Sequence, residues 1–309
     1  MSSGPGAGDG PTIEFDPPGA VDVTLTLSSL RGAGRLRFAA DGVWQVTRTS
    51  DGPATVQIDP RPHVEAPIIA HAWGAGAERA LAQVPELLGL ADRADDFAPA
   101  HALVREQHRR HPGLRLGRTR SVIEVLLPTI VEQKVPHADA SKSWRALRRA
   151  FAEPAPGPAD LLLHPDPTRL AGLAYHDLHR FGIERKRADP FLAACRAAGQ
   201  LERFADRTPD QLMAGLQQVR GVGPWTASMV ARVVLGHPDT VVVGDYGIPA
   251  MVAWALARER TADDARMLEL LEPERPHRAR AVALIMTAGL SPPRHGPRLG
   301  PAAIAGLAR

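Results

Sequence analysis

Leu216-Gln217-Gln218-Val219-Arg220-Gly221-Val222-Gly223-Pro224-Trp225-Thr226-Ala227 is the stretch on which the fold turns. Just before it, Thr208-Pro209-Asp210-Gln211 has the form of a helix start. It offers a capping Thr, Pro at the first helical position, and Gln three residues after the cap. Leu212, Leu216 and Val219 then recur at i, i+4 and i+7, which is one helical face. The helix stops at Arg220-Gly221-Val222-Gly223, and Pro224 opens a second one running to Leu235. Glycine at two alternate positions permits positive φ and lets another molecule approach the backbone closely. The N–H groups that begin the second helix have no internal partners and lie at the positive end of the helix dipole. An anion such as a phosphate is favoured there. Val222 is placed to pack between the two helices. A bare Gly-x-Gly would suit a plain helical hairpin equally well, but the whole string favours a phosphate-binding hairpin.

Helical patterns dominate the chain around this hairpin. Residues 119–135, 137–151, 189–204, 208–218, 224–236, 246–258, 261–271 and 276–289 are helix candidates, and the Pro-containing 152–168 is a loop. Before residue 98 the pattern is different. Val21 to Leu27, Arg35 to Phe38 and Val43 to Thr47 alternate with period two, and Ala54 to Ile58 follows the turn Ser50-Asp51-Gly52-Pro53. With a second hairpin signal at Asp41-Gly42, this predicts an antiparallel meander of about four strands, covered by a helix over 74–90. Strands first and helices afterwards imply an α+β chain, mainly α-helical, with an N-terminal antiparallel β-sheet. The expected division is a disordered segment 1–12, a sheet-plus-helix domain 13–97, a helical domain 98–290 and a Pro/Gly-rich tail 291–309.

Composition narrows the chemistry. Cys195 is the single cysteine of the 309 residues, which rules out an internal disulfide, a four-cysteine zinc site and a cysteine-held iron–sulfur cluster. Its apolar surroundings read as a small buried hydrophobe. The twelve His show no paired ligand spacing, so no catalytic metal is expected. The formal charge of +3 is compatible with nucleic acid without establishing it. Arg105, Arg109, Arg110, Arg115, Arg118 and Arg120, and then Arg145, Arg148 and Arg149, form two groups that could face an anionic partner or simply solvent. No stretch is apolar enough to span a membrane, and the N-terminus lacks the order of a signal peptide, so a cytoplasmic protein is expected.

The hairpin is followed by His237-Pro238-Asp239-Thr240-Val241-Val242-Val243-Gly244-Asp245-Tyr246. Together these segments resemble the helix-hairpin-helix DNA glycosylases, and most closely 3-methyladenine DNA glycosylase II. Leu88 to Asp92, His111 to Arg115, Val122 through Gln133, and Phe181 through Ala188 resemble further segments of that family, so the likeness covers residues 85–290. It implies base-excision repair on double-stranded DNA containing a damaged base, by a monomer with no iron–sulfur cluster. Asp245, 22 residues past Gly223, matches the catalytic carboxylate, although its place ahead of Ile248 to Leu256 also suits a helix cap. Gly221, Val222, Gly223 and Thr226 would hold DNA phosphate, and the carbonyls of Gln217, Val219 and Val222 could coordinate Na+ or K+. Trp225 and Tyr246 are candidates for the base pocket or for ordinary packing. Gln133 and Lys134 occupy the loop that enters the gap left by a flipped base, with Lys134 where the family usually has Leu or Gln. His277 stands where an aromatic is frequent. Trp225 also stands where the bifunctional branch has its Schiff-base Lys, which implies base release without strand cleavage. A glycosylase for an oxidised or deaminated base, or a lesion-binding protein without turnover, remains open at this point.

Overall fold

A computed structural model describes residues 10–30, 35–61 and 63–293. Residues 1–9 and 294–309, which carry most of the expected loose ends, lie outside the described residues. Thr12, expected in the disordered N-terminus, instead begins strand β1 (Thr12–Phe15). Helix α1 (Val23–Ser28) comes next, then strands β2 (Leu36–Ala39), β3 (Gly42–Thr49), β4 (Gly52–Ile58) and β5 (Ile68–Trp73). The five strands form one antiparallel sheet in the order β1-β5-β4-β3-β2. The two expected hairpin turns are present, with φ of +122° at Gly42 and +130° at Gly52. The meander is larger than expected because β1 and β5 join it. Neither is among the strands expected from the sequence, although Thr12-Ile13-Glu14-Phe15 of β1 alternates between Pro11 and Pro17.

The predicted strand over Val21–Leu27 is a helix. Val-Asp-Val-Thr-Leu-Thr-Leu alternates, yet Val23, Thr26 and Leu27 also fall at i, i+3 and i+4, and these three are buried. Asp22 caps the helix by accepting the Leu25 N–H at 2.8 Å. Buried Thr26 donates its hydroxyl to the Gly113 carbonyl and accepts the Arg115 N–H. Local propensity is weak here, and these long-range contacts decide the outcome.

Helix α2 (Ala77–Leu87) lies on one face of the sheet through Ala77, Ala80, Leu81, Val84 and Leu87. The helical part follows with α3 (Ala102–Arg110), α4 (Val122–Val131), α5 (His137–Phe151), α6 (Pro167–Ala171) and α7 (Tyr175–His179). Then come α8 (Arg185–Arg196), α9 (Ala198–Glu202), α10 (Pro209–Leu216), α11 (Pro224–Leu235), α12 (Ile248–Ala257), α13 (Asp264–Leu271) and α14 (Arg278–Thr287). The candidate over 189–204 is therefore two helices. Helices α3, α6 and α7 were not anticipated; two of them are too short to show a period.

Helix α4 is buried along its whole length. Its first N–H groups, at Val122 and Ile123, donate to the Glu202 carboxylate at 3.0 and 2.8 Å. One apolar core runs from the sheet through α4, α8, α10 and α11. A second joins α3, α12, α13 and α14. The loop between α11 and α12 crosses from one core to the other, and Asp245 lies in it.

Candidate active site

The hairpin folds as its sequence implies. Thr208 Oγ1 accepts the Gln211 N–H and Gln211 Oε1 accepts the Thr208 N–H, both at 3.3 Å. Leu212, Leu216, Val219 and Val222 are buried between the helices. The two glycines differ in kind. Gly221 has φ +93°, and a Cβ there would stand 3.0 Å from the Pro190 ring. Gly223 is extended, at φ −99° and ψ −177°, and a Cβ on it would meet nothing within 4 Å. Backbone freedom explains the first. The second is the N-cap of α11, a position that favours Gly over larger apolar residues, and its open Cβ direction leaves the backbone accessible. No side chain caps the first turn of α11, so its N–H groups face outward beside Gly223.

Asp245 is held by three donors. Its Oδ1 accepts the N–H of Gly247 at 2.8 Å and of Ile248 at 2.9 Å. Its Oδ2 accepts the indole N–H of Trp225 at 3.0 Å. The cap reading and the site reading both hold: the carboxylate starts α12 and is tied to the hairpin. The loop around it is pinned too. Ser228 Oγ accepts the Val243 N–H at 3.2 Å, and Asp264 accepts the Gly244 N–H at 2.7 Å. Gly244 sits at φ +74° with Trp225 against it. Two helices and a loop thus fix where the carboxylate points.

Other expected site residues are placed differently. Gln133, assigned with Lys134 to the loop entering the base gap, donates its amide to Thr226 Oγ1 at 2.8 Å and the Gly221 carbonyl at 3.0 Å. It braces the hairpin in this structure. Thr226 is 2% exposed, so its hydroxyl serves that brace and is closed to a phosphate. Lys134 is exposed at φ +56° in the turn after α4, one residue from the brace. Tyr246 is fully exposed and encloses nothing. His277 packs on Phe97, ring centroids 5.0 Å apart. The suspected basic groups divide between local surface pairs and contacts that join distant segments. Arg109 and Arg110 pair with Glu106, Arg118 and Arg120 with Glu86, and buried Arg115 donates to the Ala20 and Asp92 carbonyls.

A cavity of about 360 Å³ opens beside this loop, between α1, α11 and α14. Its lining includes Leu25, Leu114, Met229, Val242, Ile248 and Val282, with Arg232 and His237 among the polar groups. Ile248 belongs both to the cavity and to the donors of Asp245. Neither Trp225 nor Tyr246, the candidates for a base pocket, lines it. From α11 the cavity receives Met229 and Arg232, which stand three residues apart on one face of the helix. A larger, open depression of about 500 Å³ at the sheet edge contains no residue of the hairpin or of the Asp245 loop.

No family model matches the chain. A 142-residue part of it is 25% identical to the Bacillus subtilis (strain 168) protein named "Putative DNA-3-methyladenine glycosylase YfjP", and the match spans 45% of this chain and 48% of that protein. The solved 3-methyladenine DNA-glycosylase from Archaeoglobus fulgidus superposes with a TM-score of 0.74 at 16% identity, over 90% of this chain and 99% of that one. The Clostridium acetobutylicum 8-oxoguanine glycosylase/lyase in its apo-form gives 0.68 at 12% identity, over 90% and 95%. The chain therefore shares, over 90% of its length, the fold of these two solved DNA glycosylases.

Proposed function

We propose that this chain is a monofunctional DNA glycosylase of base-excision repair, with Asp245 as its catalytic carboxylate. The observation that carries this reading is the grip on Asp245: two backbone N–H groups and the indole of hairpin residue Trp225. A carboxylate fixed in this way, next to a hairpin whose N–H groups face outward, suits a reaction that builds positive charge beside a phosphate backbone. The damaged base is flipped out of the duplex. The bond from C1′ to the base nitrogen breaks and its electron pair leaves with the base. Asp245 stabilises the cationic sugar and orients a water whose oxygen bonds to C1′, giving an abasic site. The water proton passes to the carboxylate and on to solvent. Trp225 cannot form a Schiff base, so the strand stays intact.

The hairpin motif and the names of the similar proteins support alkylated purines of the 3-methyladenine type as substrates. These bases already carry positive charge, so one carboxylate suffices. A second reading, a neutral deaminated or oxidised base, is favoured by one feature, the cation Arg232 in the cavity. The protein would act as a monomer on duplex DNA in the cytoplasm, in association with the nucleoid. Among the described residues no backbone N–H is recorded on the Gln217 or Val222 carbonyls, while that of Val219 accepts the Val222 N–H at 2.9 Å. A Na+ or K+ ion at these carbonyls would steady the hairpin. The test is incubation with duplexes that each carry one 3-methyladenine, hypoxanthine, uracil or 8-oxoguanine. Base release is expected from at least one duplex, with strand breaks only after hot alkali and no adduct trapped by borohydride. Release from none of them would overturn the reading.

A further inference from the structure

We propose that Asp264 is a positioning residue of the reaction: through the Gly244 N–H it sets the aim of Asp245, and it holds this place at a cost to stability. The proposal rests on the glycosylase reading above and adds a residue to the same site.

Three observations carry it. The first is the bond. Asp264 Oδ2 accepts the Gly244 N–H at 2.7 Å, one residue ahead of Asp245. A hydrogen bond to an ionised acceptor is shorter and stronger than a neutral one. Gly244 is confined by Trp225 as well. It sits at φ +74°, and a Cβ on it would stand 3.2 Å from Trp225 Cβ. The indole N–H of Trp225 donates to Asp245 Oδ2 at 3.0 Å. These contacts run from Asp264 through Gly244 and Trp225 back to the carboxylate that the loop carries.

The second observation is that Asp264 has no other task. It lies in the first turn of α13, but the cap of that helix is Asp263, whose Oδ1 accepts the Arg266 N–H at 2.9 Å. The Arg266 side chain pairs with Glu259 and Glu269, and among the described residues no ion pair includes Asp264. The third is the state of the remaining oxygen. Asp264 Oδ1 is buried with no donor. An acceptor left dry and unmatched costs stability. A carboxylate that caps nothing, pairs with no cation and leaves one oxygen unmatched is a poor device for holding a fold together. Groups of this kind belong where geometry needed for a reaction is kept against the preference of the fold.

The chemistry defines what is held. Asp245 acts by facing the charge that develops at C1′, so its effect depends on distance and direction. Its Oδ1 is fixed by Gly247 and Ile248, which follow it in the chain. Ahead of it, Ser228 of α11 holds Val243 and Asp264 of α13 holds Gly244. Asp264 therefore sets the residue next to the carboxylate on that side. It transfers no proton and acts only through Asp245.

The experiment measures single-turnover base release, DNA affinity and thermal midpoint for Asp264→Ala and Asp264→Asn. The substrate is whichever of the four lesion duplexes the wild type releases fastest. Asp264→Ala should slow release roughly 10- to 100-fold, the range of one hydrogen bond to a charged group. It should bind the duplex as the wild type does and melt no lower. Asp264→Asn keeps an oxygen for the Gly244 N–H and should recover most of the lost rate. Placed in Asp245→Asn, the same Ala substitution should slow the residual release little further, because the charge that Asp264 aims is already gone. Wild-type release by Asp264→Ala, or an equal fold-loss in both backgrounds, would overturn the role of Asp264 and leave the glycosylase reading intact. So would a thermal midpoint that falls with the rate together with an Asn variant no faster than Ala. Absence of release by the wild type from all four duplexes would overturn both.

Discussion

Asp245 and Trp225 make the site a matter of single hydrogen bonds. Replacing Asp245 with Asn keeps an oxygen for the Gly247 and Ile248 donors, so α12 remains capped, but sets an amide NH2 against the Trp225 indole N–H and removes the charge opposite the cationic sugar. Base release should fall by roughly 100- to 1,000-fold or more while DNA binding holds, because the carboxylate acts in the transition state and not in the grip on the backbone. A gel-shift assay beside a release assay checks this, and full activity in Asp245→Asn would remove the residue from the mechanism. Trp225→Phe keeps the ring bulk and deletes the 3.0 Å indole bond. A hydrogen bond to a charged group is worth about 1.5–3 kcal/mol. The single-turnover rate should therefore drop roughly 10- to 100-fold with little change in binding, and an equal loss of binding would show that the ring touches DNA directly.

The hairpin puts two glycines of one motif to opposite uses, and substitution separates them. Gly221→Ala forces a Cβ into φ +93° and toward Pro190. That conformation costs an L-residue about 1–3 kcal/mol, so the thermal midpoint should fall. Gly223→Val meets no steric objection, since its backbone is extended and its Cβ direction is open. Beyond the N-cap preference for Gly, the valine variant should keep its thermal midpoint and bind every duplex more weakly, damaged or not, because a backbone phosphate carries no sequence information. Calorimetry and titration with lesion-free DNA test the pair together. A loss confined to lesion-bearing DNA would mean that Gly223 faces the base.

A buried carboxyl lies where the sheet meets the helical core, and it makes stability depend on pH. Glu124 of α4 accepts the Arg48 N–H at 2.8 Å and the Thr47 hydroxyl at 3.2 Å across that junction. Burial raises its pKa to about 7, against the pull of the Arg35 cation and the Arg48 N–H, and the Glu202 charge adds to the rise. A carboxyl raised on folding binds more protons in the native state than in the unfolded one between these two pKa values. The contribution of Glu124 to stability therefore falls as the pH rises from about 4.5 to about 7, by roughly 3 kcal/mol at 1.36 kcal/mol per pH unit, and is flat above. Buried His164, whose pKa burial lowers, contributes with the opposite sign below pH 6.5. Glu124→Gln removes the Glu124 contribution, so stability at pH 8 relative to pH 5 should rise against the wild type. A pH profile unchanged in Glu124→Gln would show that Glu124 does not titrate in this window.

The sequence by itself determined whatever rests on local pattern. The hairpin was legible because Thr208, Pro209, Gln211, Gly221, Gly223 and Pro224 mark starts and stops that hold in almost any surroundings. Helix α5 runs over 137–151 as read, for the same reason. Asp245 could be singled out because the segment after the hairpin resembles the glycosylases' catalytic loop, a likeness carried by one contiguous stretch of chain. Tertiary structure alone decided what depends on partners far away in sequence. Val23–Ser28 satisfies two periods at once and becomes a helix because Gly113 and Arg115 meet Thr26. Gln133 braces Gly221 and Thr226 across 88 and 93 residues. Arg232 reads as one more charge on a helix until Ser29, 203 residues away, closes the cavity around it. A side chain's type is written locally, but whether it ends as brace, wall or exposed tip depends on which distant segments close around it.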